Sequence, residues 1–199
     1  ARHQRYPRPS LHPQPERRHR RDRGRDTGKK RLRCALSRPL SGRLRPAPQR
    51  GELAAGKNND PLIHQHQEEI SRAHGIIIVH PNWWGQPPAI LKGWMERVLR
   101  KNVAYTFPPG DNGGGLPIGL LPAKAALVFN TSNTPAQREH EVFGDPLERI
   151  WKDCVFAFCG VHTFERLTFG VVADSDEATR QHWLQQTADM VDKYFPAHS

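Results

Sequence analysis

Two short stretches, GIIIVH at 75–80 and AALVFN at 125–130, run almost without a polar residue. A strand with one wet face alternates apolar and polar side chains, whereas a strand covered on both faces does not. Each run is too short for a buried helix, and the first is rich in β-branched residues, so both read as strands buried from two sides. Such strands require helices above and below their sheet, and this requirement governs the reading of everything else.

The segments around the strands have the periodicity of those helices. DPLIHQHQEEISRAH (60–74) brings Leu62, Ile63, Gln67, Ile70 and Ala73 towards one face, with Asp60 as N-cap and Pro61 in the first turn. PPAILKGWMERVLRK (87–101) carries an apolar stripe through Ile90, Leu91, Trp94, Met95, Val98 and Leu99, a helix of about four turns. In GDPLERIWKDCVFAFCG (144–160), Asp145 caps, Pro146 opens the first turn, and Leu147, Ile150, Trp151, Cys154 and Phe158 form the stripe that Gly160 ends. RLTFGVV is strand-like, and DSDEATRQHWLQQTADMVDKYF closes the chain as a helix with Trp183, Leu184, Thr187, Val191 and Tyr194 inward. Strands alternating with helices predict an α/β domain, a doubly wound parallel sheet.

The domain is expected to occupy residues 51–199, because the chain before it has a different composition. Residues 1–50 hold 17 Lys and Arg against 3 Asp and Glu, seven Pro, and no Val, Ile, Phe, Met or Trp. Too little apolar surface is available there to offset the entropy of ordering the backbone, so this basic Arg/Pro-rich segment reads as disordered or as a frame-slipped translation. Residues 51–199 carry a net charge of −4, so the basic character of the whole chain belongs to its first quarter.

Three cysteines, at 34, 154 and 159, lack the number and spacing of a disulfide framework and read as small buried residues in a reducing cytoplasm. His and Cys spacing supports no metal site. No apolar run approaches the roughly 18 residues that span a bilayer, so no membrane association is expected.

Ligands of doubly wound sheets sit beyond the carboxyl ends of the strands. HPNWWGQ and NTSNTP occupy that position, at the same edge. Trp83 and Trp84 offer aromatic surface to a flat conjugated ligand, Gly85 allows close backbone approach, and Asn82–Gln86 hold five amide donors between Pro81 and Pro87. Asn130, Thr131, Ser132 and Asn133 add short donors and acceptors for a heterocycle's rim. Local packing of the indoles and ordinary turn-making by Asn and Ser would explain the same residues.

HPNWWGQPPAILKGWMERVLRKNVAYTF, KAALVFNTSNTP and FGDPLERIWKDCVFAFCGV, in this order, resemble the NAD(P)H:quinone oxidoreductase family, also called the flavodoxin-like NAD(P)H dehydrogenases. The resemblance covers about residues 60–195. It implies a flavodoxin-like fold, a flavin cofactor (FAD or FMN), NAD(P)H as co-substrate, and hydride transfer through the flavin to a quinone-type acceptor. By the same resemblance, Pro81, Asn82, Trp83, Trp84 and Gly85 lie against the flavin ring, and Asn130, Thr131, Ser132 and Asn133 meet its rim. Tyr105 and Phe107 match aromatics that reach into a partner subunit's substrate pocket, which implies a homodimer. No catalytic acid or base is implied, since the cofactor carries the difficult step; His140 and His162 read as ordinary polar residues. Gln137 and Arg138 stand where FAD-using members place an aromatic, which leaves the choice of flavin open.

A flavodoxin-like sheet is built around a first strand whose following loop holds the flavin phosphate. Residues 1–50 contain no such strand: His12 and Pro13 keep a His-Pro pair, but Pro7 and Pro9 precede it and would break a central ladder. The N-terminal strand-helix unit is therefore expected to be missing or scrambled, and the activity impaired. The alternative class is a basic, nucleic-acid-associated or non-catalytic protein with a remnant of this domain.

Overall fold

The computed structural model describes residues 44–48, 60–111 and 113–196. Helix α1 (Pro61–Arg72) begins as its sequence predicts, with the Asp60 carboxylate accepting from the Leu62 amide at 3.0 Å. Strand β1 (Gly75–Pro81) leads through the Trp loop into α2 (Ala89–Val98). A two-stranded antiparallel ribbon, β2 (Tyr105–Thr106) with β3 (Ile118–Gly119), precedes β4 (Ala125–Thr131) and the short α3 (Ala136–Glu141). Helix α4 (Pro146–Arg149) continues directly as a π-helical stretch over Ile150–Ala157. Strand β5 (Phe164–Phe169) and α5 (Glu177–Tyr194) complete the described chain.

The main sheet is parallel, in the order β1-β4-β5. Its register sets Pro81 beside Thr131 and Thr131 beside Phe169, so the three strands end level with one another. Ile76, Ile78, Ala126 and Val128 face a core shared with Ile63, Ile70, Val98, Leu147 and Trp151, the helical side of α1, α2 and α4. On the opposite face Phe129 stacks on Phe169, Phe169 on Trp183 of α5, and the Tyr194 hydroxyl donates to Glu165 at 2.7 Å. Helices on both faces of a parallel sheet make the fold doubly wound.

Several local expectations are corrected. Strand β1 is not covered on both sides: Ile77 and Val79 are 46% and 72% exposed, because α5 packs over β4 and β5. The stripe of the α4 region shifts as well. A π-turn holds about 4.4 residues, so Leu147, Trp151 and Val155 fall into one buried line while Cys154, expected inside, is exposed. Leu184 of α5 is exposed although it was expected inward, and no residue of that helix is fully buried.

Residues 44–48, counted above with the basic segment, lie against the domain. Leu44 is buried in the core, and Gly93 of α2 packs so closely on Pro46 that a Cβ there would sit 2.3 Å from the Pro46 carbonyl oxygen. The rest of the basic segment, including Cys34, His12 and Pro13, falls outside the described residues, as does 49–59. No described helix is long and apolar enough to cross a membrane.

Candidate active site

The chain leaves β1 through a turn that its own hydrogen bonds close. Asn82 continues the ladder by donating to Thr131 at 2.7 Å. Trp83 and Gln86 then exchange both backbone bonds, at 3.1 and 3.0 Å, around Trp84 and Gly85. Both central residues have positive φ, 58° at Trp84 and 68° at Gly85, the requirement of a type I′ turn. Such a conformation is ordinary for glycine, but for a residue as bulky as tryptophan it costs about 1–2 kcal/mol. The Asn82 side chain offsets part of this by accepting from the Gly85 amide at 3.0 Å.

Trp84 gains no packing in return: it is 101% exposed, and Trp83 is 59% exposed. A strained residue that displays a whole indole to solvent points to a binding role, because nothing inside the fold repays the strain. The geometry also corrects the expected five amide donors. Those of Asn82, Trp83, Gly85 and Gln86 are all used within the loop region, which leaves the Trp84 N–H. Gly85 is required by the approach of α4, since a Cβ there would lie 2.6 Å from Pro146 Cγ.

The second loop is equally ordered. Ser132 donates its amide to Phe169 and accepts from Thr134 through Oγ at 3.0 Å, while Asn133 accepts from the Ala173 amide at 2.9 Å. Between the loops lies an open cavity of about 710 Å³. Pro81, Asn82, Trp83, Trp84 and Gly85 form one wall, and Thr131, Ser132 and Asn133 another. Arg138, Glu139, Phe143 and Pro146, from α3 and the segment that leads into α4, form a third wall, of which the sequence had marked only Arg138 as standing near the flavin. Glu139 and Phe143 carried no signal beyond proximity in sequence to the NTSN loop. Glu139 is buried, and its Oε1 is the one buried side-chain polar atom among the described residues that lacks a hydrogen-bond partner.

Three expected site residues do not line this cavity. Asn130 is completely buried beneath it. Tyr105 and Phe107 instead cluster edge-to-face with Phe158, at centroid separations of 4.8 to 6.3 Å, with the Lys101 ammonium 5.9 Å from the Phe107 centroid.

Below the loops a buried polar network joins all three strand ends. Trp151 Nε1 donates to His80 Nε2 at 2.9 Å, and Asn130 Nδ2 lies 2.9 Å from the same nitrogen. His80 Nδ1 is 2.7 Å from the Pro81 carbonyl. Arg166 donates to Asn130 Oδ1 at 3.1 Å, to Glu148 at 3.0 Å, and to Asp145. Burial, with the Arg166 charge nearby, pushes the His80 imidazole below its ordinary value, against the upward pull of its bond to Pro81. The signal for His80 was present in the sequence: Ile76, Ile78 and His80 share one face of β1, and that face is the buried one.

The profile of the flavodoxin-like fold family matches residues 36–191. This chain belongs to that family. The chain is 31% identical over 127 residues to an NAD(P)H oxidoreductase of Haemophilus influenzae, covering 63% of this chain and 60% of that one. It is 32% identical over 132 residues to the mouse ribosyldihydronicotinamide dehydrogenase (quinone), covering 62% and 55%. The matches thus span little more than half the length of these relatives. Among solved structures, the NAD(P)H:quinone oxidoreductase of Methanothermobacter marburgensis superposes with a TM-score of 0.67 at 18% identity, covering 78% of this chain and 79% of that one, and so shares its fold.

Proposed function

We propose that this chain is a flavin-dependent NAD(P)H oxidoreductase with a quinone-type acceptor. The observation that carries the reading is Trp84, fully exposed on a strained turn at the mouth of an aromatic-lined cavity beyond the ends of a parallel sheet. Relatives that bear the names NAD(P)H oxidoreductase and quinone dehydrogenase support the same chemistry.

The residues present fit a flavin. A cavity of about 710 Å³ is in the range that takes a molecule of cofactor size. Trp83, Trp84 and Phe143 supply apolar flanks, and the Trp84 amide with the Thr131 and Asn133 side chains supplies polar groups for a heterocycle's edge. The unpartnered Glu139 carboxylate oxygen offers a ligand N–H or O–H an acceptor. Bound there, a flavin would supply the two-electron chemistry that links NAD(P)H to a quinone. The chain's part is to hold the ring edge against fixed donors and to keep water from its faces.

Tyr105 and Phe107 enter the proposal through a homodimer, in which each chain's aromatic pair serves the acceptor pocket of its partner. They lie outside the cavity of their own chain, which is the placement such an exchange needs. The nucleic-acid alternative draws on residues 1–50, of which only 44–48 are described, and gains no support from the cavity.

The test is direct. The full chain, incubated with FMN or with FAD and passed through a desalting column, is expected to retain flavin absorbance and to oxidise NADPH in the presence of menadione. A colourless protein with either flavin overturns the reading.

A further inference from the structure

We propose that His80, held as the Nδ1–H tautomer, is a positioning residue that fixes the aromatic turn for cofactor binding and displaces it on protonation. The inference rests on the flavin reading above and names what keeps that site in shape. The tautomer follows from its neighbours. An indole N–H can only donate, so the Trp151 bond requires a lone pair on His80 Nε2. A carbonyl can only accept, so the bond to Pro81 requires a hydrogen on Nδ1.

Asn130 turns this arrangement into a one-state device. Arg166 donates to Asn130 Oδ1, which fixes the amide orientation and directs Nδ2 towards His80, both to Nε2 and to the His80 carbonyl at 3.2 Å. Two donors therefore face Nε2, and a proton there would meet both. The charged and titratable groups around the ring are Arg166 on β5, with Asp145 at the N-cap of α4 and Glu148 within α4 balancing it, and His140 of α3 at 3.7 Å from Asp145. The nearest of these to the His80 side is the Arg166 cation bonded to Asn130. An imidazolium at His80 gains no acceptor at Nε2 and adds a second positive charge.

The consequence passes to the cavity through two residues of chain. His80 Nδ1 holds the Pro81 carbonyl, and the next amide, Asn82, anchors the turn to Thr131. The turn's own bonds, between Trp83 and Gln86 and between Asn82 and Gly85, keep its shape, so the turn that carries Trp84 moves as a unit with Pro81 and Asn82. Protonation keeps the Nδ1–H bond to the Pro81 carbonyl but sets an N–H against the Trp151 and Asn130 donors, so the ring is expected to leave its seat, draw Pro81 with it and shift the turn away from the second loop, weakening whatever binds between them.

The experiment uses the full chain in two measurements. In the first, ligand-free protein is labelled with 15N and the ring nitrogens of His80 are assigned against the His80→Gln variant. At pH 7.5 the expected result is a protonated Nδ1 and an unprotonated Nε2, with Trp84 amide and indole shifts changing at the same midpoint as His80 when the pH falls. An Nε2–H tautomer, or tryptophan shifts that ignore the His80 titration, overturns the proposal. In the second, FMN affinity is followed by fluorescence from pH 7.5 to 5.0. The dissociation constant is expected to rise by up to about tenfold per pH unit below the His80 midpoint in the native chain, and to lose that dependence in His80→Gln, with folding checked by circular dichroism. Equal pH profiles in two folded proteins overturn it. Native protein that binds no FMN at any pH overturns the flavin reading instead, and the first measurement still decides the role of His80.

Discussion

Arg97 lies wholly buried within α2 and reaches across the core to Asp60, the N-cap of α1, at 2.9 Å. The same guanidinium donates to the Arg45 carbonyl at 2.8 Å, so one side chain ties two helices to the segment that enters the domain. Burial works to raise the Asp60 carboxyl, but the hydrogen bonds from Arg97 and Leu62 and the Arg97 charge hold it below its ordinary range. Replacing Arg97 by Ala takes the ionic partner from that carboxylate, which keeps the Leu62 amide, and the guanidinium donor from the Arg45 carbonyl. The expected loss is roughly 3 kcal/mol, the low end for a broken buried pair because Asp60 keeps some solvent, measured by urea denaturation at pH 7. A change below about 1 kcal/mol would show that the pair is not a tie.

Two buried histidines accept from indoles: His66 from Trp94 at 3.1 Å, and His80 from Trp151. Burial lowers both from their ordinary 6.5. The unfolded chain therefore takes up protons below about pH 6.5 while the native chain does not. Stability is fully present above that value, falls as the pH drops below it, and levels off once the native histidines also protonate. Urea midpoints between pH 8 and pH 5 check the sign; a midpoint that rises on acidification contradicts it.

Trp84→Ala is expected to separate binding from folding. The indole has no packing to lose and the replaced residue leaves a strained φ little changed, so stability moves by no more than about 0.5 kcal/mol. Flavin affinity is expected to drop roughly two- to tenfold, the worth of one aromatic stacking partner. Thermal denaturation and an FMN titration on the same preparation read both effects.

Gly119 of β3 meets Gly160 backbone to backbone. A Cβ at Gly119 would lie 2.2 Å from the Gly160 nitrogen, and neither chain segment has a flexible side chain to move aside. Gly119→Ala is expected to cost about 1–3 kcal/mol, whereas Gly114→Ala, with open space around it, is expected to be nearly silent by the same denaturation assay.

The legible part of this structure is the part that depends on local pattern. Asp60, Pro61 and Asp145 mark helix starts by chemistry that acts within a few residues, and the apolar runs place β1 and β4 with errors of a single residue. The two loops could be placed at one sheet edge because strand order alone puts them there. Where residues far apart in sequence decide the outcome, the pattern was silent. Asn130 looked like a rim residue, yet His80, 50 positions away, and Arg166, 36 positions away, draw its amide inward. The open face of β1 was illegible for a related reason: Ile77 and Val79 have the composition of a doubly covered strand, and composition carries no information on how far α5 extends across the sheet.

The wide helical stretch from Ile150 to Ala157 has a bearing on how this chain tolerates change. The backbone there is underwound, with about 4.4 residues to the turn against 3.6 in an ordinary helix. Deleting one position between Lys152 and Ala157 would let the helix recover its usual pitch and leave the residues beyond it nearly in register, whereas an insertion would turn everything beyond it by about 100°. Within this short window the chain is therefore expected to tolerate a deletion far better than an insertion, although no residue of the window touches the cavity.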